Sequence, residues 1–361
     1  YPAFDPPEYV HWVPDAAEVA RYAATVARDD NRRALIEALG RDSLLELHAR
    51  LLRARLVDIA LKRWVRQGVI SKAWLGLGEE ATTVGPVFAL DPGVDYVAPM
   101  IRNQAACTDF GMPVADVFRG YLATEDGPSR GRDVHIGSMT RHVIPPISPV
   151  GVMVPVCLGV ALASRMLGRP VVVLNWIGDG SVKAGVTHEG LNFAAVQKVP
   201  AIYIIQNNQV ALGTRLRQHH AAPDFSGLPT AYGVAGWPFD GNNVLDAWAA
   251  TALAVDRCRR GDGPVLLLAE TFRMGGHATH DEREARETLP ATLFEQWGRR
   301  DPIGLYEEYL KGRGIAGAVL EAIEERVIGE VDRAAEEALE SRTHLPRPES
   351  ALLGVYAREV R

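Results

Sequence analysis

Residues able to hold a metal ion and an anion are concentrated between positions 170 and 214, in the stretch PVVVLNWIGDGSVKAGVTHEGLNFAAVQKVPAIYIIQNNQVALGT. An apolar run at 171–177, interrupted only by Asn175, stops at Gly178-Asp179-Gly180, and a second run at 201–205 stops at Gln206-Asn207-Asn208. A carboxylate, an amide oxygen and a nearby backbone carbonyl are hard oxygen donors. They suit Mg²⁺ or Ca²⁺ and leave coordination positions for phosphate oxygens and water. Gly178 and Gly180 let the backbone approach the anion and turn N–H groups toward it. A GDG turn alone is common and an NN pair alone says little. The spacing, with 26 residues between Gly180 and Asn207, joins them into one unit.

That unit is a βαβ crossover. Near-continuous Val- and Ile-rich runs on either side of a helix read as buried parallel strands, and Leu191, Ala194, Ala195 and Val196 are candidates for the helix's apolar face. A right-handed crossover brings both carboxyl ends to the same sheet edge. Neighbouring strands lie about 4.8 Å apart and next-but-one strands about 10 Å apart. An Asp past one strand and an Asn past the other can therefore converge, on the edge where open α/β sheets bind ligands. A further strand at 264–270 runs into Thr271-Phe272-Arg273-Met274-Gly275-Gly276-His277, so chemistry-capable residues again follow a strand end. Near an anion, Arg273 can neutralise charge and His277 can move protons close to neutral pH. Taken alone, His277 reads as a structural histidine, and Arg102, behind Met100-Ile101, as a surface ion-pair residue. Adjacent His219 and His220 diverge in either regular structure, which argues against a metal pair.

The surrounding pattern predicts an α/β fold: a doubly wound, mostly parallel sheet with helices on both faces and a helical C-terminal extension. A long helix is expected at 43–67, capped by Ser43 and ended by Gly68, with Leu44, Leu47, Leu51, Leu52, Val57, Ile59 and Leu61 on its apolar positions. Prolines at 2, 6 and 7 point to an extended start, and residues 1–30 read as an arm. Residues 124–151 hold eight glycines and prolines and read as a long loop, carrying His135, Ser138, His142 and Ser148. Helices are expected at 152–167, with Pro155 in the first turn, and at 244–260. From 291 the chain reads as helical, with a stripe of Leu320, Ile323, Val327, Val331, Ala335 and Ala338, and 352–356 should pack back on the domain or a partner. The domain reading is an arm at 1–42, the α/β domain at 43–290 and a helical segment at 291–361.

Composition narrows the function. The 361 residues carry a formal net charge of -6, from 45 acidic and 39 basic side chains, which favours neither nucleic acid nor an anionic membrane surface. Cys107, Cys157 and Cys258 are far apart and read as reduced thiols. No run of 18 apolar residues and no signal-like opening segment is present, so a cytoplasmic location is expected.

Further motifs fall in order along the chain: RQGVIS at 66–71, GEEATTVG at 78–85, GRDVHIGS at 131–138, ISP at 147–149, GDG and NN, RMGGHATHDE at 273–282, and DPI at 301–303. In these, from about residue 43 to the end, the chain resembles the alpha subunit of the thiamin diphosphate-dependent first component of 2-oxo acid dehydrogenase complexes. The resemblance implies Mg²⁺ held by Asp179, Asn208 and the Val210 carbonyl. Thiamin diphosphate would be bound by Arg102, Ser148, Val150, Gly178, Asp179, Gly180, Ser181, Asn208, Val210, Arg273 and His277, with Ser148 and Val150 beside the aminopyrimidine and His277 as the catalytic, proton-handling residue. The implied activity is oxidative decarboxylation of a 2-oxo acid, of branched-chain or pyruvate type, with acyl transfer to a lipoyl group. The implied partners are a beta subunit in an α₂β₂ assembly, which supplies the glutamate that activates the cofactor, and a lipoyl-bearing acyltransferase. The chain's length fits that division, since single-chain enzymes of this cofactor carry two such domains.

Several positions depart from the family pattern. Ile101 stands where many relatives have a diphosphate-contacting Tyr, Lys183-Ala184 interrupts the usual small-polar-acidic run after GDG, and Gln206 takes a place often held by Glu or Arg. Ala278 replaces a serine phosphorylated in some relatives and excludes that modification there. Alternative readings are an acetoin-cleaving relative and a non-catalytic scaffold that keeps the fold. A nicotinamide-binding Rossmann enzyme is disfavoured, because the glycines at 178, 180 and 185 are spaced G-x-G-x₄-G. No phosphate-binding GxxxxGK[ST] loop occurs.

Overall fold

The computed structural model describes residues 12–352. Seven strands are present among them: β1 (Tyr96–Ala98), β2 (Val173–Gly178), β3 (Ala201–Asn207), β4 (Val210–Ala211), β5 (Thr214–Arg215), β6 (Ala235–Asp240) and β7 (Val265–Glu270). Five of them form one parallel sheet in the order β1-β2-β3-β7-β6, while β4 and β5 make a small antiparallel hairpin. Helices cover both faces, as the apolar runs predict.

Strand periodicity explains the two cores. Successive side chains point to opposite faces. Leu174 and Trp176 of β2, Ile202 and Ile204 of β3, and Val265 and Leu267 of β7 join one cluster. Val173 and Ile177, Tyr203 and Ile205, and Leu266 and Leu268 join the other. With both faces covered, β2, β3 and β7 are apolar through most of their length. Asn175, the one polar residue in its run, lies at the β1 border and donates through Nδ2 to the Ala98 carbonyl at 2.9 Å. The edge strand β6 escapes sequence reading because Gly236 and Pro238 break its pattern; proline is tolerated at an edge because its missing N–H faces no partner.

The long helix spans Arg41–Arg66, its N-cap is Gly40 rather than Ser43, and Gly68 follows at φ +70. The expected arm is helical from Ala16, in two pieces, Ala16–Ala27 and Asp30–Glu37, each started by an aspartate whose side chain accepts from the first turn's N–H groups. Those Asp caps override the extended start, which falls, with residues 1–11, outside the described residues. The helix Gly185–Gln197 buries Leu191 and Ala194, but Val196 is 67% exposed, because it falls off the stripe facing the sheet. Residues 124–151 stay largely irregular, with a 3₁₀ turn at Met139–Arg141 and isolated bridges at Val143. The stripe expected in 320–338 is realised along Gly317–Glu340, with Leu320, Val327, Val331 and Ala338 buried. Most of 352–356 lies outside the described residues. All three cysteines are buried free thiols. Among the described residues, no helix is long and apolar enough to cross a membrane.

A buried ion triad fastens the site's support to the core. Arg55, fully buried on the long helix, donates through Nε to Glu80 Oε1 and through Nη2 to Asp301 Oδ2 at 2.9 Å. The other oxygen of Asp301 caps the helix Pro302–Gly312, accepting from Ile303 N at 2.9 Å and Gly304 N at 3.1 Å, with Pro302 at the first helical position. The DPI motif is thus a helix cap whose second oxygen serves an ion pair. Removing one member leaves buried charge uncompensated. Arg55→Met should lower unfolding free energy by about 3–5 kcal/mol in urea titrations, and a loss under about 1 kcal/mol would show the triad to be energetically neutral.

Candidate functional site

Four neighbouring parallel strands deliver the site residues to one edge. Arg102 follows β1, Asp179 follows β2, Asn208 follows β3, and Arg273 and His277 follow β7. The register pairs Gly178 with Gln206, so Asp179 and Asn208 leave adjacent strands at nearly the same height. Gly180 is required by packing: a Cβ there would stand 2.5 Å from Ala211 Cβ, so the GDG turn lies directly against β4. That contact brings Asp179 and Val210 together. Gln209 and Leu212 flank the strand with φ of +73 and +54, left-handed conformations uncommon for residues other than glycine. Such backbone is kept where the surroundings dictate it.

The oxygens buried at this edge without a hydrogen-bond partner include Asp179 Oδ2 and Asn208 Oδ1, with Glu79 Oε2 behind them. Asp179 and Asn208 are 2% and 5% exposed. The other atom of each side chain is engaged, since Asp179 Oδ1 accepts from Gly180 N at 2.8 Å and Asn208 Nδ2 donates to Glu79 Oε1 at 3.0 Å. Burial without compensation pushes the Asp179 carboxyl up to about 6, with the Glu79 charge adding to the shift. A divalent cation between those oxygens would satisfy both. The donor set of carboxylate, amide and carbonyl fits Mg²⁺. Among the described residues no three His, Cys, Asp or Glu side chains cluster as a metal site. The candidate set has only one carboxylate and draws its other oxygens from an amide and the backbone. The Val210 carbonyl also faces a cation, Arg273 Nη1, at 3.5 Å.

Glu79, from the GEEA motif, is a candidate site residue that sequence reasoning missed. It is buried, and its Oε1 accepts from both Asn208 Nδ2 and Gln206 Nε2, the latter at 2.6 Å. Gln206 in turn accepts from Asn103 Nδ2 at 2.9 Å, and the same Nδ2 reaches Thr83 Oγ1 at 2.7 Å. Glu79 therefore fixes which way the Asn208 amide faces. Only its place in GEEATTVG could have signalled this.

Two buried arginines lie beside these groups. Arg102 is buried, donating through Nη1 to Leu75 O at 3.0 Å and through Nη2 to the His277 carbonyl at 3.2 Å, with Glu79 Oε2 at 3.7 Å. The surface ion-pair reading of Arg102 is thereby corrected. Arg273 donates to Leu212 O at 2.7 Å and Gly275 O at 3.2 Å; burial and the Arg102 charge lower its pKa to about 10. The His277 loop is held by Asp281, which accepts from His277 N at 3.0 Å and Ala278 N at 2.7 Å, and by Thr279, whose N donates to Ala73 O at 2.9 Å. His277 is half-buried and its pKa falls to about 4, first by desolvation and then through Arg102 and Arg273. It is neutral at pH 7. Arg102 Nη2 lies 3.2 Å from His277 Nδ1, and as guanidinium can only donate, Nδ1 accepts and the proton sits on Nε2.

Ser148 and Val150 are not gathered into this buried centre. Both are exposed, Val150 at 64%, and Ser148 Oγ pairs with His135 Nε2 at 3.4 Å. Their loop meets the site through Gly151, at φ +80, which abuts Thr187 and Ala184 just after the GDG turn. Gly178 and Ser181 line the same turn, with a Cβ on Gly178 3.7 Å from Ser181 Oγ.

The arrangement thus sets two unpartnered buried oxygens near two buried arginines and a neutral histidine. A sequence model of the family described as Dehydrogenase E1 component matches residues 49–347. The chain is 33% identical to the 2-oxoisovalerate dehydrogenase subunit alpha of Bacillus subtilis (strain 168), over 87% of this chain and 95% of that one. It is 30% identical to the pyruvate dehydrogenase E1 component subunit alpha of Acholeplasma laidlawii, over 81% and 83%. It is 31% identical to the 3-methyl-2-oxobutanoate dehydrogenase subunit alpha of Mycobacterium tuberculosis (strain CDC 1551 / Oshkosh), over 78% and 74%.

The charge arrangement predicts a shift that can be read directly. Without metal or anion, the His277 imidazole should titrate near 4 by NMR. Arg102→Gln should raise that midpoint part of the way toward 6.5, because one repelling charge is gone while burial persists. A midpoint that stays put would show that Arg102 does not act on His277.

Proposed function

Because this chain belongs to the dehydrogenase E1 component family, we propose that it is the alpha subunit of a 2-oxo acid dehydrogenase first component, of branched-chain or pyruvate type. It binds Mg²⁺ and thiamin diphosphate and works with a beta subunit in an α₂β₂ assembly, passing an acyl group to the lipoyl arm of a separate acyltransferase. The observation that carries this reading is the pair of buried, unpartnered oxygens, Asp179 Oδ2 and Asn208 Oδ1, on adjacent strand ends.

The residues of the chain divide the work. Asp179, Asn208 and the Val210 carbonyl hold the metal, and Glu79 keeps Asn208 Oδ1 turned toward it. Arg102 and Arg273 neutralise the diphosphate, and their own carbonyl partners keep the two guanidinium groups in place. Gly178, Gly180 and Ser181 shape the turn around the anion. His277 holds a proton on Nε2 in the 2-oxo acid channel and can donate it as negative charge develops on the substrate oxygen. When bound, thiamin diphosphate supplies the nucleophilic carbon that attacks the 2-oxo carbon and the ring that accepts the electrons left by departing carbon dioxide. Ser148 and Val150, on an exposed loop beside the GDG turn, suit a site closed by another chain and would serve the aminopyrimidine of the cofactor. In this reading residues 43–290 form the cofactor-binding domain, and the described helices from 291 onward are its buttress.

Calorimetry with Mg²⁺ and thiamin diphosphate, with the beta subunit present, tests the site. Asp179→Asn should weaken cofactor and metal binding by more than about a hundredfold. Glu79→Ala, which removes only the support of a ligand, should weaken it by about 10–100-fold. Unchanged binding in Asp179→Asn would overturn the reading. A screen of 2-oxo acids with both subunits and an artificial electron acceptor should show decarboxylation that is lost in His277→Ala while cofactor binding persists.

A further inference from the structure

We infer that His219 is a further metal ligand, placing an imidazole nitrogen in the shell of the ion held by Asp179 and Asn208; this rests on the metal-site reading above. The two adjacent histidines have different surroundings. His220 is fully engaged: its ring stacks on Phe225 with centroids 4.2 Å apart, Nε2 donates to Asp224 O at 2.8 Å, and Nδ1 accepts from Lys183 Nζ. Lys183 is drawn off in that direction, with Nζ 5.1 Å from the centre of the Phe225 ring. His219, by contrast, has both ring nitrogens buried without a hydrogen-bond partner. Its Nε2 stands 3.7 Å from Asp179 Oδ2, the oxygen that is itself unpartnered.

That separation is too long for an N–H···O hydrogen bond. It is close to what one ion would impose on two of its ligands. Donors about 2.1 Å from a metal and roughly 90–120° apart lie about 3.0–3.6 Å from each other. Buried polar atoms are rarely left unpaired, and Asp179 Oδ2, Asn208 Oδ1 and His219 Nε2 are among those left so at one end of the sheet. One cation would resolve all three. An imidazole in place of a water also changes selectivity, favouring Mn²⁺, Co²⁺ and Zn²⁺ relative to Mg²⁺. Sequence reading disfavoured a metal role for a His-His pair, and the two rings do diverge. A single member of the pair is enough when the other donors come from the sheet.

Pulsed electron paramagnetic resonance of the α/β assembly loaded with Mn²⁺ and thiamin diphosphate tests this without reference to turnover. Echo modulation from one imidazole nitrogen is expected in the unaltered protein and absent in His219→Gln. The same substitution should lower the Co²⁺-to-Mg²⁺ affinity ratio at least about tenfold by calorimetry, while Mg²⁺ itself remains bound. Mn²⁺ bound without imidazole modulation, or modulation that survives His219→Gln, overturns the assignment while leaving the metal site intact. Mn²⁺ binding that survives Asp179→Asn, or no Mn²⁺ binding at all, overturns the metal-site reading itself.

Discussion

The site depends on the hydrogen bond between Asn208 Nδ2 and Glu79 Oε1, at 3.0 Å. An amide has one acceptor and one donor end, and committing the donor end to a buried carboxylate leaves Oδ1 facing the slot. Glu79 is in turn placed by its neighbour Glu80, which Arg55 ties to Asp301 in the helical segment that follows the sheet domain. The chain of restraint therefore runs from the C-terminal helices, through a buried ion triad, to the orientation of a single amide. Buried ion pairs contribute little net stability but specify geometry where one arrangement alone satisfies every partner.

Charge balance follows from that geometry. The charges of Arg102 and Glu79 act on the ionisation of Asp179 and Arg273, and the two arginines repel each other. An anion between the arginines and a cation between Asp179 and Asn208 would relieve both strains at once. Such a pair of ions would complement the site better than either alone. His277 reads out this balance, since its proton affinity is set by desolvation and by the same two arginines.

Much of this was legible in the residues because periodicity and strand ends are local signals. The runs before Asp179 and Asn208 are apolar on both faces, which announces a doubly covered sheet, and the parallel crossover brings their ends together. The start of the chain misled because prolines at 2, 6 and 7 were extrapolated past Asp15 and Asp29, the caps that begin two helices. Strand β6 was missed because Gly236 and Pro238 disguise an edge position. Val196 looked like core because it is apolar, yet its rotation about the helix turns it to solvent.

What the sequence indicated by itself is a carboxylate and an amide at the ends of two parallel strands, which follows from residue type and spacing, and a family resemblance, which follows from the order of its motifs. The tertiary structure alone decided which atoms of those donors are free. It showed that Glu79 turns Asn208, that Arg102 is buried against His277, and that His219 rather than His220 faces Asp179. Such pairings join residues up to 175 positions apart. They are contacts between side chains from different strand ends, and no pattern along the chain encodes a distance across it.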